Sequence, residues 1–297
     1  MTFLVDLYKN LGEIQMTKIQ RITLAVLSTL AISAVSMSAQ AGLFGGGSGS
    51  PSPAPAGACA GLPTYAQLKA ALIAASAADT SGFNLNMWGT VVNRDGIVCA
   101  VAFTGTDRGS QWPGSRVISA QKANTANAFS LPGLALSTSN LYSAVQGTEA
   151  SNNNLGGSLY GLQFSNPVDT EAAYSGNQAL VGSANDPMVG KRIGGVNVFG
   201  GGLALYDSTG KIVGGLGLSG DTSCADHNQA WLTRKNLNLD YVPAGVSGDA
   251  TRPDNMVIDD FLGASKNNKT DGWEQPTCAN PTDPALLPVV NVVPKNI

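Results

Sequence analysis

Twice in this chain an apolar strand pattern runs into a four-residue polar turn ending in Gly and returns as a second apolar strand. Asn86 to Val92, the turn Asn93-Arg94-Asp95-Gly96 and Ile97 to Phe103 form the first unit; Phe199 to Tyr206, the turn Asp207-Ser208-Thr209-Gly210 and Lys211 to Leu218 form the second. The Asp-Gly of the first turn supplies the positive φ that a tight hairpin demands. Strands joined this closely pair antiparallel, because a parallel pair needs a long crossover.

Helical patterns stand before, between and after the two hairpins. Thr64 precedes a stripe of Leu68, Leu72 and Ile73, and Gln67 three residues on completes a capping box, so a helix is expected to end near Asp79. A second is expected from Ser115, as cap, to Phe129, burying Val117, Ile118, Ala120 and Ala123. A third runs from about Cys224 to Leu237, capped by Ser223 with Asp226 at its third position. This order predicts an α+β layered domain, an antiparallel sheet of two hairpins packed with helices. Residues 131–198 form a loop-rich insert, briefly helical over Ser139 to Val145, and residues 240–297 a loop-rich tail in which Met256 to Leu262 is the piece expected to pack.

The N-terminus points to export. Lys18 and Arg21 precede an apolar run from Ile22 to about Val35, and Ala39-Gln40-Ala41 offers a signal-peptidase site, giving a signal peptide over 16–41. The apolar run is short of the ~20 residues of a membrane span, so no span is expected after cleavage. Asp6 and Glu13 sit oddly ahead of such a leader, which marks 1–15 as a doubtful extension and Met16 as the expected start. Gly42 to Gly57 is a Gly/Pro/Ser linker, leaving 58–297 as a single domain in the periplasm or secreted. A net charge of −3 provides no basic footprint for nucleic acid.

An exported chain with four cysteines is expected to form two disulfides. If the first helix runs up and the next strand runs back, the Asp95-Gly96 turn lies near the helix start. That brings Cys99 to Cys59 and by elimination pairs Cys224 with Cys278.

Gly215-Leu216-Gly217-Leu218-Ser219-Gly220 spells the dinucleotide fingerprint, with Asp240 twenty residues beyond. Its strand is the second arm of a hairpin and not part of a βαβ unit, so the glycines read as close packing at a strand-to-helix turn. A smaller role survives for Ser219 and Gly220, which lead into a helix N-terminus able to hold an anion. His227, the only histidine, is the candidate iron contact or general base, set against a surface histidine in a first helical turn. Asp226 cannot orient it, because adjacent helical residues point about 100° apart. Lys122 and Arg116 are candidates to meet a ligand carboxylate, set against solvated surface charges; Met188 is a weaker candidate for iron, set against an ordinary buried or surface methionine, which is the favoured reading.

Three stretches together resemble the GlcG/HbpS haem-binding family, in an exported, cysteine-containing branch. They are Val92 to Ala100, Ile118 to Ala126 with its "A-x-x-K-A-x-T-A" pattern, and Gly200-Gly201-Gly202 with Gly210 to Gly220 and Asp226. The resemblance spans about Thr64 to Leu237. It implies a profilin-like layered fold, frequent homo-oligomerisation, and binding of haem or a related tetrapyrrole; haem degradation, iron sensing and glycolate, diol or cobalamin metabolism occur among such proteins. The resemblance matches no haem ligand to a position here, and His227, the one imidazole near the glycine-rich turn, is the residue chosen for the iron contact. The expected function is therefore haem capture, storage or sensing outside the cytoplasm. The alternative is a module for a non-haem small ligand or a protein partner. A haem-degrading enzyme has no catalytic constellation here beyond His227.

Overall fold

The computed structural model describes residues 54–146, 159–259 and 272–293. The expected extension, the signal peptide and the linker up to residue 53 lie outside the described residues. Three helices and four strands carry the core: α1 (Tyr65–Ala78), β1 (Trp88–Asn93), β2 (Val98–Phe103), α2 (Ser115–Phe129), β3 (Gly202–Tyr206), β4 (Ile212–Ser219) and α3 (Ser223–Asn236). The strands form one antiparallel sheet in the order β2-β1-β4-β3. The two hairpins thus lie side by side, joined where β1 pairs with β4 from Trp88↔Ser219 to Asn93↔Gly214.

Both faces of the sheet are covered, which is why β1 and β3 are buried at every position and alternate little in polarity. On one face, α1 and α3 bring Leu68, Leu72, Ala230 and Trp231 against Val91, Leu203, Leu205, Leu216 and Leu218. On the other, α2 and the insert bring Val117, Ala120, Ala123, Met188 and Ile193 against Trp88, Val92, Val98 and Val101. Ile118, expected in the core, is only half-buried. Among the described residues no helix is long and apolar enough to cross a membrane.

The helix ends follow the expected chemistry with small shifts. Thr64 caps α1, and Gln67 returns the reciprocal bond at 2.9 Å. The cap of α3 is Thr222, whose hydroxyl accepts from Ala225 N–H, one residue before the expected Ser223. Ser223 turns outward instead, accepting from Gly200 N–H and donating to Gln275. No side chain caps α2; Gly114 takes that place, and Ser115 lies inside the helix.

The insert is less irregular than its composition implies. It carries one-turn helices at Tyr142–Val145, Leu162–Ser165 and Thr170–Tyr174, and 3-10 turns at Thr138–Leu141 and Gln178–Leu180. In the tail, β5 (Val257–Asp259) pairs with β6 (Glu274–Pro276) in parallel, an element the loop-like composition concealed. Met256 is buried as expected, while residues 260–262 lie outside the described residues. Cys59 pairs with Cys99 and Cys224 with Cys278, and none of the four cysteines is free.

Candidate functional site

The glycines of the fingerprint-like run are positions where α2 lies directly on the sheet. A Cβ on Gly217 would stand 1.9 Å from the carbonyl oxygen of Ser119, and one on Gly215 would stand 2.2 Å from that of Ala123. Neither approach leaves room for a side chain, so the packing reading of this motif holds and the phosphate reading does not. Bringing α2 so close has a second effect. The hydroxyls of Thr90 and Ser119 meet at 2.7 Å between helix and sheet.

It also carries Lys122 into the interior. Its ammonium donates to Asp226 at 2.6 Å and to the carbonyl of Leu218 at 3.1 Å. The other oxygen of Asp226 accepts the backbone N–H groups of Gly220 (3.0 Å) and Asp221 (2.9 Å). Gly201, at φ +111°, passes over this knot; a Cβ there would meet the Leu218 carbonyl at 2.4 Å. Burial pushes the Asp226 carboxyl up to about 6, against the pull of Lys122 and the two backbone donors. Lys122, Gly220 and Asp226 therefore form one closed ion-pair knot, with Ser219 buried at its edge.

Arg116 takes part in a different arrangement. Its guanidinium forks onto Asp186 of the insert and donates to the Ala173 carbonyl, while Asp186 also accepts from Gly182 and Met188 N–H. Both cations are buried, so the surface-charge reading is overturned: each has a carboxylate partner that sequence spacing could not reveal. Met188 is fully buried in the apolar core.

His227 is fully buried, which corrects the surface-histidine reading. Its Nε2 lies 3.2 Å from Asn255 Oδ1 and 3.2 Å from the Met256 nitrogen, and Met256 N–H also reaches Asn255 Oδ1 at 2.9 Å. A proton on Nε2, donated to Asn255, uses every one of these groups and leaves Nδ1 as a bare lone pair with no partner. The opposite tautomer would bury an N–H donor with nowhere to go, the costlier arrangement. Burial pushes the imidazole down to about 4, partly offset by Asp254, so it is neutral at neutral pH. Asp226 points to Lys122 while His227 points to the tail, as a helical 100° step requires.

One set of neighbours escaped the sequence reading. His227, Trp231 and Arg234 stand at i, i+4 and i+7 on α3, one stripe of the helix. The His227 and Trp231 ring centroids are 6.0 Å apart, and the Arg234 guanidinium carbon lies 4.7 Å from the Trp231 centroid. Arg234 forks onto Asp254 at 2.5 and 2.8 Å. The spacing of the stripe was visible in the sequence; the tail residues facing it were not. Among the described residues, no group of three or more His, Cys, Asp or Glu side chains is arranged to hold a metal ion.

Two cavities lie elsewhere. One, of about 460 Å³, is lined by Leu62, Ala70, Ala74 and Leu237 among others. The other, of about 540 Å³, is walled by Pro132, Val242, Pro243, Val289, Val290 and Val292.

No curated protein matches the chain. Among solved structures it is similar to Klebsiella pneumoniae protein ORFY, 24% identical over 58% of this chain and 87% of that one, with a TM-score of 0.38. It is similar also to the PduOC:haem complex, 23% identical over 59% of this chain and 91% of that one, with a TM-score of 0.38. The family model described as haem degrading protein HbpS-like matches residues 64–232, from the cap of α1 to Leu232, one turn before the end of α3. That span takes in the whole sheet, all of α1 and α2 and most of α3, together with the Lys122–Asp226 knot, and by it the chain belongs to the HbpS-like family.

Proposed function

We propose that this protein binds haem or a related tetrapyrrole outside the cytoplasm and serves its capture, storage or sensing. The observation that carries the reading is the family match over residues 64–232. The donor set of the chain agrees with it in kind. An imidazole with one nitrogen fixed by a hydrogen bond and the other left as a lone pair is the form in which histidine ligates metals. Beside it, Trp231 offers a flat apolar face and Arg234 a fork suited to a carboxylate.

His227 is the residue we assign to the iron, with Arg234 in place of Lys122 and Arg116 as the partner for a propionate. All three cations are held by buried carboxylates; the partners of Lys122 and Arg116 are Asp226 and Asp186, whereas that of Arg234 is Asp254 of the tail, beyond the family match. Haem, if bound, would supply an iron centre; His227 would hold it through the imidazole, with its proton kept at Nε2 and water excluded by the burial of the side chain. Two disulfides fit an oxidising compartment, and with the 16–41 leader they support export to the periplasm or medium. Self-association belongs to the same reading and is checked by size-exclusion of the mature protein.

Haemin titration followed at the Soret band tests the proposal. A band that shifts or weakens in His227→Gln supports the assignment; a titration with no Soret band in any form of the protein removes the function.

A second reading rests on the cavity of about 540 Å³, whose walls are chiefly proline, valine and alanine with two threonines and an asparagine at the polar positions. No imidazole, thiol or thioether lines it, so it suits a small apolar molecule and not an iron centre. Thermal stabilisation by short-chain apolar ligands, absent with haemin, would favour this reading.

A further inference from the structure

The His227–Trp231–Arg234 stripe of α3 has a cover made by the chain's own tail. Asp254 takes Arg234, Asn255 Oδ1 takes His227 Nε2 and the Met256 N–H beside it, and the Pro288 carbonyl accepts from Trp231 Nε1 at 2.8 Å. The match of cover to helix is incomplete. On the stripe itself, His227 Nδ1 and Arg234 Nε are buried without hydrogen-bond partners. Buried polar atoms are normally paired, and two exceptions on one stripe mark a surface whose present cover does not answer all of it. The family match stops at 232, so the covering residues lie beyond it, as does Arg234, while His227 and Trp231 lie within it.

The cover is tied down close to His227. Cys224, one turn before it, is bonded to Cys278, two residues beyond β6. β6 pairs with β5, and β5 begins at the residue after Met256. Ser223 adds a hydrogen bond to Gln275 at 2.9 Å. One covalent bond therefore holds β6, and through it β5 and the segment Asp254-Asn255-Met256, against the stripe.

We propose that the His227–Trp231–Arg234 stripe is a binding face for a planar, carboxylate-bearing tetrapyrrole, that residues 254–256 occupy it as a strap, and that Cys224–Cys278 is the latch. The proposal rests on the haem reading above and goes beyond it by naming the face, its occupant and its control. A dithiol reductant opens the latch by thiol–disulfide exchange. The Sγ–Sγ bond breaks, two electrons and two protons pass from the reductant, Cys224 and Cys278 become thiols, and the reductant ends as a disulfide. Without the strap, His227 Nε2 and the Arg234 guanidinium lose their tail partners together, and Nδ1, already without a partner, loses its cover.

The chain has one histidine, so chemical modification reads the strap directly. Diethyl pyrocarbonate labelling of the mature protein, followed by peptide mass, gives the His227 rate in four forms: oxidised wild type, Cys224→Ser/Cys278→Ser, Cys59→Ser/Cys99→Ser, and Asp254→Ala/Asn255→Ala with both disulfides intact. Accessibility tracks the population of the locally opened state, so the first and third forms are expected to react slowly and the second and fourth roughly tenfold faster or more. Haemin titration of the same forms is expected to show tighter binding wherever His227 reacts faster, and His227→Gln in the Cys224→Ser/Cys278→Ser background is expected to lose that gain. Equal labelling rates in the folded wild type and the Asp254→Ala/Asn255→Ala variant overturn the strap. A Soret band of equal strength in closed and opened forms overturns the face while leaving the haem reading intact. No band in any form overturns both.

Discussion

Lys122 and Asp226 meet at 2.6 Å with their side chains 1% and 4% exposed, across 104 residues of sequence. The pair joins α2 on one side of the sheet to the start of α3 on the other. Asp226 also holds the backbone of Gly220 and Asp221, so the contact sets the path of the chain as it leaves β4. Lys122 and Asp226 thus shape a backbone turn; they do not present themselves to solvent.

Breaking this pair from one side is expected to be costly. Asp226→Asn or Lys122→Met strands a buried charge, and each should destabilise the protein by about 3–5 kcal/mol. The double variant Lys122→Met/Asp226→Asn should cost clearly less than the two singles combined. Urea unfolding of the four species measures the coupling, and strict additivity would contradict the buried pair.

Acid should act through His227. Its folded value of about 4 lies below the unfolded 6.5, so the folded state binds fewer protons in that window. Its contribution is fully present above pH 6.5 and is lost as pH falls through about 4. Between pH 7.5 and pH 4 the wild type should lose roughly 3 kcal/mol relative to His227→Gln. The difference between the two proteins cancels the opposite tendency of Asp226, whose raised value favours proton uptake on folding in the same range. Paired denaturation curves at the two pH values supply the measurement; a constant gap between them would contradict the burial of a neutral imidazole.

Gly217→Ala is expected to destabilise by about 1–3 kcal/mol or more, because its Cβ would fall 1.9 Å from the Ser119 carbonyl and 2.4 Å from the Ala123 nitrogen, both backbone atoms of α2. Gly133→Ala, where nothing lies within 4 Å, is the control and should be close to neutral. Thermal melts of the two variants side by side test the close approach of helix to sheet.

The two disulfides close segments of similar length, with sequence separations of 40 and 54. Chain entropy then assigns each a similar stabilisation, about 3–4 kcal/mol. Their functional effects should differ. Removing Cys59–Cys99 is expected to lower stability with His227 still protected, whereas removing Cys224–Cys278 should lower stability and uncover it. Denaturation midpoints set beside the labelling rates separate the two roles.

Much of the fold could be read from local pattern. The capping box at Thr64 and Gln67, the Asp95-Gly96 turn and the repeated strand–turn–strand layout each depend on residues close in sequence, and the structure realises all three. The pairing of Cys59 with Cys99 followed from the direction of one helix and one strand. The insert and tail were harder, because their short helices and the β5–β6 pair have no periodicity of their own and are held by distant anchors such as Arg116 on Asp186.

The candidate site divides along the same line. The sequence by itself determined which residue types were available, namely one imidazole, four cysteines, a glycine-rich strand exit, and a Lys and an Asp in recognisable stretches. Only the tertiary structure decided what they do: Lys122 and Arg116 became buried partners of Asp226 and Asp186, and His227 became a covered neighbour of Asn255. Local patterns follow from backbone geometry and hydrophobic period, which a few neighbouring residues express. Burial, ionisation and pairing depend on groups 28 to 104 residues away, brought together only when the sheet, its helices and the tail close on one another.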